Sequence, residues 1–270
     1  MMKMRTLLFT FCAAVFIAAT ASAQPNSNFS LSAGVVPTNF STSAVLSSND
    51  NANSEDVDFE NDLGLKSRLQ NVRLDGFWRF MPRHRIDFGY TRWRRAGEKT
   101  IEFPIDWQDR HYDAGATLGV VNNADFIKLA YAYSFIRNDR TDFAGSFGFD
   151  TIWNKTSIEG TGTLTGNGQT VSGTYKTDTD FVAPAPLLGV NVTHLFTPTW
   201  MGRASVEFFT VTFNNSRFNV SDLRASADYL FGQSWSVGLG YNTVRYKVKR
   251  NQFDAKYNFG GPQLYVSWRK

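Results

Sequence analysis

Cysteine is all but absent from this sequence. The one thiol among its 270 residues, Cys12, lies in an N-terminal stretch laid out as a secretory signal peptide. Lys3 and Arg5 supply the positive region, Thr6 to Thr20 the apolar core, and Ala21-Ser22-Ala23 a small-x-small cleavage site. Cleavage after Ala23 is expected, which divides the chain into a signal peptide, 1–23, and a mature domain, 24–270. About 15 apolar residues fall short of the roughly 20 that a membrane-spanning helix needs. FTFC also lacks the small residues that precede a lipoprotein acceptor cysteine. The mature chain therefore has no disulfide and no cysteine-ligated metal.

Charge of one sign is scarce too. The formal net charge of +4 falls to +2 once Lys3 and Arg5 leave, because residues 1–23 hold no acidic residue. So small an excess gives no reason to expect nucleic acid. Histidine is limited to three residues, His84, His111 and His194. None has a His-x-Ser or His-x-x-x-His neighbour, and no G-x-S-x-G or Walker-type run is present. His111-Tyr112-Asp113 lies beside an acidic loop, with no spacing that supports catalysis. The Asp/Glu run at 55–62 lacks the glycine and twelve-residue spacing of an EF-hand loop. No catalytic, cofactor or metal residues are assigned, and the expectation is that the protein is not an enzyme. Loose divalent binding shared with lipopolysaccharide phosphates is the one metal-related idea left, and Lys247, Lys249 and Arg250 would suit those phosphates as well.

Long apolar runs are missing beyond the leader. Mean hydropathy is −0.29, yet 15% of residues are aromatic, with 24 Phe, 10 Tyr and 7 Trp. An exported chain that is polar on average and rich in aromatics suits a barrel in which every second residue meets lipid. The stretch from Val72 to Trp93 has that form. Val72, Leu74, Gly76, Trp78 and Phe80 alternate with Asn71, Arg73, Asp75, Phe77 and Arg79. After a turn at 81–84, Ile86, Phe88 and Tyr90 alternate with Arg85, Asp87, Gly89 and Thr91. Successive strand residues point to opposite faces, so this hairpin has one apolar and one charged face. Similar alternation recurs over 125–136, 143–154, 181–196, 200–213, 223–231, 235–241 and 255–268. The first strand, from Phe29, carries an irregularity at Pro37, which cannot donate to a ladder. A bulge is expected at Phe208-Phe209, where the register slips.

Tight turns at 81–84, 137–140, 197–199 and 232–234 are each preceded by a ring, any residue, then Phe: Trp78-Arg79-Phe80, Tyr133-Ser134-Phe135, His194-Leu195-Phe196 and Tyr229-Leu230-Phe231. Rings with polar tips prefer the membrane–water boundary. The expected girdle is Trp78, Phe80, Tyr133, Phe135, Phe196, Trp200, Tyr229, Phe231, Trp235 and Trp268. Longer loops are expected at 47–67, 94–124, 157–180 (in part a protruding hairpin), 214–219 and 247–254. Short turns alternating with long loops imply ten antiparallel strands, or eight if the first region or the strands around 214–222 are misread. The fold class is thus all-β, a transmembrane antiparallel up-and-down barrel with its short turns in the periplasm.

With DLGL at 62–65, the WRFMPRHRIDFGY hairpin at 78–90 and the closing GPQLYVSW at 261–268, the chain resembles the small bacterial outer-membrane barrels, the group that includes OmpW-like and OmpA-like proteins. That resemblance implies residence in the outer membrane of a Gram-negative cell, contact with its lipid and lipopolysaccharide, insertion by the barrel assembly machinery, and a monomer. Such barrels usually end on an aromatic residue that the assembly machinery reads, whereas here Arg269 and Lys270 follow Trp268.

If the aromatic faces meet lipid, the other faces carry Arg73, Arg79, Lys128, Arg203 and Arg224 inside, against Asp75, Asp87, Asp150, Glu207, Asp222 and Asp228. Buried charges must be paired or solvated, so a network of salt bridges and water is expected. It would either line a path for small solutes or plug a bore much narrower than that of a 16–18-stranded porin. The function expected is structural, or the passage of small solutes, with a surface adhesin or receptor acting through the long loops as the alternative and a lipid A-modifying or proteolytic barrel enzyme, for which His111-Tyr112-Asp113 has the residue types, as the third.

Overall fold

A computed structural model describes residues 27–47, 54–107, 110–166, 169–213, 216–250 and 253–270. The expected signal peptide lies outside these residues. Thirteen strands follow one another: β1 (Phe29–Ser47), β2 (Ser54–Asp58), β3 (Arg68–Met81), β4 (His84–Thr100), β5 (Ile105–Trp107), β6 (Arg110–Tyr112), β7 (Thr117–Arg137), β8 (Thr141–Gly166), β9 (Gln169–Thr197), β10 (Trp200–Phe213), β11 (Ser216–Phe231), β12 (Trp235–Arg250) and β13 (Phe253–Arg269). Ten of them pair with their chain neighbours, all antiparallel, and β13 returns to pair with β1, closing an up-and-down barrel. The short β2, β5 and β6 belong to the connections between them.

The tight turns are built by local chemistry. Pro82 and Arg83 join β3 to β4. Asn138 Oδ1 accepts from the amides of Arg140 (3.0 Å) and Thr141 (2.8 Å). Thr197 Oγ1 accepts from the amide of Trp200 at 3.0 Å, and Gly232 takes φ +65°, which a side chain would strain. At the other end several expected loops prove to be wall. β4 runs up to Thr100 and β7 starts at Thr117, so the connection expected over 94–124 shrinks to a segment carrying β5 and β6. Within 157–180, β8 and β9 stay paired from Ser157↔Asp178 to Gly166↔Gln169, and most of 214–219 and 247–254 is strand.

β8 has 26 residues and β9 has 29, more than twice the roughly 9–11 a strand needs to cross a bilayer. The excess inverts the barrel. Along β1, Leu31 and Val35 are exposed, yet Val36, Phe40 and Ala44 are buried. The apolar residues change faces at Pro37 although the strand inserts no extra residue: Val35↔Leu264 and Asn39↔Gly260 share one register. Only the ladder to β13 is interrupted over 36–38, where Pro37 has no N–H and Gly261 lies so close that a Cβ would sit 2.0 Å from the Pro37 carbonyl oxygen. What read as an irregularity is a change of solvent. Below this level apolar side chains face lipid and polar ones face the bore. Above it Arg92, Arg94, Glu98, Lys155 and Glu159 point out, while Phe126, Val120 and Ile158 point in.

The same inversion removes the bulge expected at Phe208-Phe209. β10 keeps one register with β11 from Trp200↔Tyr229 to Phe213↔Ser216. Phe208 faces lipid and Phe209, half-buried, faces inward opposite the buried Val220. Two neighbouring phenylalanines mark the level where both faces are apolar. The register shift present in this strand lies instead at Trp200/Met201.

Two seams interrupt the upper wall. The β3–β4 ladder ends at Arg73↔Thr91, and residues 59–67 cover the β4 edge above it. Lys99 Nζ donates to the Asn61 carbonyl, and Gly97 approaches so closely that a Cβ there would lie 2.0 Å from the Gly64 carbonyl oxygen. The β9–β10 ladder ends at Leu188↔Phe208, although β9 begins at Gln169 and β10 runs on to Phe213. Pro184 and Pro186 lie in the part of β9 that pairs with β8 alone. Proline leaves no orphan N–H at an edge near lipid, where each unpaired group is costly.

Candidate functional site

The bore is a stack of three layers. In the lowest, beside the short turns, Arg79 is buried between Asp142, Ser134 Oγ (3.0 Å) and the Pro82 carbonyl (3.2 Å). Arg85 bridges Asp142 (3.1 Å) and Asp87 (2.8 Å). Asp228 is fully buried and accepts from Arg203 (2.9 and 2.5 Å), Tyr265 Oη (3.1 Å) and Ser236 Oγ (3.3 Å). Arg269 donates to Ser236 Oγ at 2.6 Å. Slightly higher, Arg73 holds Asp75 (2.5 Å), Arg224 joins Asp75 (3.2 Å) to Asp222 (3.0 Å), Lys128 pairs with Glu207, and Tyr246 donates to Asp150 (2.8 Å). Of these groups Arg73, Asp75, Arg85, Asp87, Lys128, Arg203, Arg224 and Tyr265 line a cavity of about 180 Å³, large enough for several waters.

The middle layer is aromatic. Trp93 packs against Phe126 (centroids 4.3 Å), Phe259 (4.6 Å) and Phe40 (5.0 Å), and Tyr246 stacks on Phe259 at 6.0 Å. Leu187, Val220 and Val244 complete this cluster from the far wall. In the top layer Val57, Phe59, Leu63, Leu65, Ile101, Ile105 and Tyr112 fold in from the connections onto Leu118, Val120 and Ile158. Arg95, 1% exposed, ties the two upper layers together. It pairs with Glu60, donates to Thr42 Oγ1 (3.1 Å) and lies 4.6 Å over the Phe40 ring. The acidic run is used in the same way. Glu60 also accepts from the Thr42 amide (2.7 Å), and Asp58 and Asp62 accept from backbone amides of their own turn.

The structure turns Arg73, Asp75, Arg79, Asp87, Lys128, Asp150, Arg203, Glu207, Asp222, Arg224 and Asp228 into the bore. Sequence reasoning omitted Arg85, Asp142 and Arg269, which complete the lowest layer. Alternation contained all three: Arg85 shares a face with Asp87, Asp142 with Asp150, and Arg269 with Tyr265. Their partners across the bore were not visible in any one strand.

On the outside, Trp78, Phe80, Tyr133, Phe135, Phe196, Trp200, Tyr229, Phe231, Trp235 and Trp268 all point outward near the short turns. Trp200 packs on Tyr229 (5.3 Å), Tyr133 on Phe135 (5.4 Å) and His194 on Phe196 (4.9 Å). His84 sits in the same belt, with Nδ1 2.6 Å from Tyr131 Oη. The side chain of His111 lies outside the described residues.

At the upper rim of the lipid-facing surface, Tyr90 Oη (2.7 Å), Arg92 Nε (2.6 Å) and Arg94 Nη2 (2.9 Å) all donate to Asp125.

A closed antiparallel wall, an apolar outer band with a ring-bearing lower edge and a polar interior together define a bacterial outer-membrane β-barrel. One solved structure agrees in fold. The outer-membrane protease OmpT of Escherichia coli superposes with a TM-score of 0.57, at 10% identity, over 93% of this chain and all of its own. Weaker likenesses are the attachment invasion locus protein Ail of Yersinia pestis (0.30, 9% identity, 91% of this chain and 99% of that one) and the toluene transporter TodX of Pseudomonas putida (0.36, 8%, 94% of each). At 10% identity the likeness to OmpT speaks to the fold alone. No protein-family model and no curated protein matches the sequence.

Proposed function

We propose that this protein is a non-enzymatic, non-conducting barrel that carries an extension of its own wall above the outer membrane. The aromatic layer around Trp93 supports this reading. It crosses the bore between the charged cavity below and the packed connections above, leaving the charges beneath it a structural role. The surface offered to the exterior is the polar outside of the upper wall and the β8–β9 hairpin, where any receptor or adhesive contact would be made. In planar bilayers the purified barrel is expected to give no stepwise currents. Discrete channel events from the wild-type chain would sink the proposal.

A second reading has its own observation. The unpaired β9–β10 seam lies at the height of the lipid-facing Phe149 and Trp153, cross-strand from Pro186 and Val182. Behind it, Ala185 and Leu187 belong to the aromatic cluster. The seam would admit a small apolar solute sideways from the bilayer. Saturable binding of naphthalene by the barrel in micelles, lost on Ala185→Phe, is the result this reading expects. Partitioning that does not saturate and is unaffected by the substitution would eliminate it.

A further inference from the structure

We infer that the outer face of β11, β12 and β13, just above the lipid-facing band, is a binding site for a multiply phosphorylated lipid headgroup of the outer leaflet. Five exposed cations lie on this face: Arg217, Arg245, Lys247, Lys249 and Lys256. The register sets them directly against one another, Arg217 opposite Lys249 and Lys247 opposite Lys256. Like charges directly opposite on neighbouring strands destabilise a sheet. Over 216–221, 243–250 and 253–258 the sequence supplies a single acidic residue, Asp254, cross-strand from Lys249.

Elsewhere on the rim, cations stand beside carboxylates. Arg92 and Arg94 share Asp125 at 2.6 and 2.9 Å, and Lys155 lies 3.7 Å from Asp178. Cations are thus given carboxylate partners on β4, β7, β8 and β9, while on β11–β13 they are gathered with one acid among them. An anion from outside the chain resolves that repulsion.

Height selects the source of the anion. From the girdle residue Trp235 to Arg245 is ten residues, about 34 Å of strand, which a tilt of about 40° turns into about 26 Å of height. That matches the roughly 25 Å apolar band of such barrels and puts Arg245 level with the headgroups. Lys247 with Lys256, then Lys249 with Arg217, stand about 5 and 10 Å higher by the same geometry. Three rungs of charge fit a headgroup with more than one phosphate. Directly below them Val237, Leu239 and Tyr241 expose an apolar column, 37%, 64% and 55% accessible, against which acyl chains would lie. The inference rests on the membrane placement and is independent of whether the bore conducts.

The test uses the whole mature chain in phosphatidylcholine nanodiscs with and without lipid A as probe. The variant combines Arg217→Gln, Lys247→Gln, Lys249→Gln and Lys256→Gln, and the control combines Arg92→Gln with Lys155→Gln. Wild type and control should retain fluorescent lipid A, and the variant should bind it at least about 100-fold more weakly. Lipid A should raise the unfolding temperature of wild type but not of the variant. Without lipid A the variant should unfold no earlier than wild type, because the like-charge contacts are gone. Equal lipid A affinity in variant and wild type would overturn the site. Displacement of lipid A by millimolar inorganic phosphate would overturn its assignment to a lipid.

Discussion

Replacing Asp228 with alanine should destabilise the barrel by about 3–5 kcal/mol, the usual cost of removing one partner from a buried ion pair. Asp228 is fully buried and receives hydrogen bonds from Arg203, Tyr265 and Ser236. Its loss leaves the Arg203 guanidinium with only neutral hydroxyl acceptors, Tyr265 Oη and Ser267 Oγ at 3.3 Å each, and with the cationic Arg269 nearby. The carboxylate cannot be spared by rearrangement, since Asp222 and Asp75 are already engaged by Arg224. By contrast Asp125→Asn on the outer rim, where Arg92 and Arg94 are about half exposed, should cost no more than about 1 kcal/mol. Joint replacement of the inner pair by apolar residues, Arg203→Met with Asp228→Leu, should recover most of the loss. The midpoint temperature at which the folded barrel converts to the slower or faster unfolded band on unboiled gels reads all three. An Asp228→Ala midpoint equal to wild type would refute the assignment of this pair to the structural core of the bore.

How much of this was visible beforehand depends on where each residue sits relative to the membrane. The Val72–Trp93 hairpin was legible because lipid outside and water inside impose the strictest alternation a strand can have. Its short turn, girdle rings and charged face follow from that. The upper wall was read as loop because its alternation is reversed. Arg217, Asn219 and Ser221 are the outward face of β11, with Val220 inside, and a polar stretch with isolated apolar residues looks like a connection when lipid is assumed outside. Phe40 and Phe126 come from β1 and β7, far in sequence from Tyr246 and Phe259 on the β12–β13 hairpin, so nothing local announces that they meet around Trp93. The same holds for Asp142, whose two arginines arrive from β3 and β4. The chain's charge inventory predicted pairing in the bore, but it carried no sign that the filling turns mainly apolar above mid-height, with the Arg95–Glu60 pair set into it.

That reversal makes the second large prediction, and one strand is enough to test it. Leu129 and Val121 both face outward on β7, eight residues apart, at 59% and 40% exposure. Hydropathy treats them alike. If the lower wall meets lipid, Leu129→Arg should cost about 2–4 kcal/mol in bilayer vesicles, the value for a cation near the midplane of a barrel's outer surface. Val121 lies above Asp125 and the rim arginines, so Val121→Arg should fall within about 0.5 kcal/mol of wild type, as for an ordinary water-facing position. Its inward neighbour Val120, 1% exposed and packed with Leu118 and Ile158, should respond in the opposite sense. An arginine there would be buried without a partner, and Val120→Arg should prevent the top layer from closing. Urea unfolding in vesicles measures the first two. Limited proteolysis at 54–65 and 101–116 reports the third, since those segments are held down by that layer. A Val121→Arg penalty as large as that of Leu129→Arg would mean that lipid reaches the upper wall, and the inversion at Pro37 would have to be abandoned together with the headgroup level assigned to Arg245.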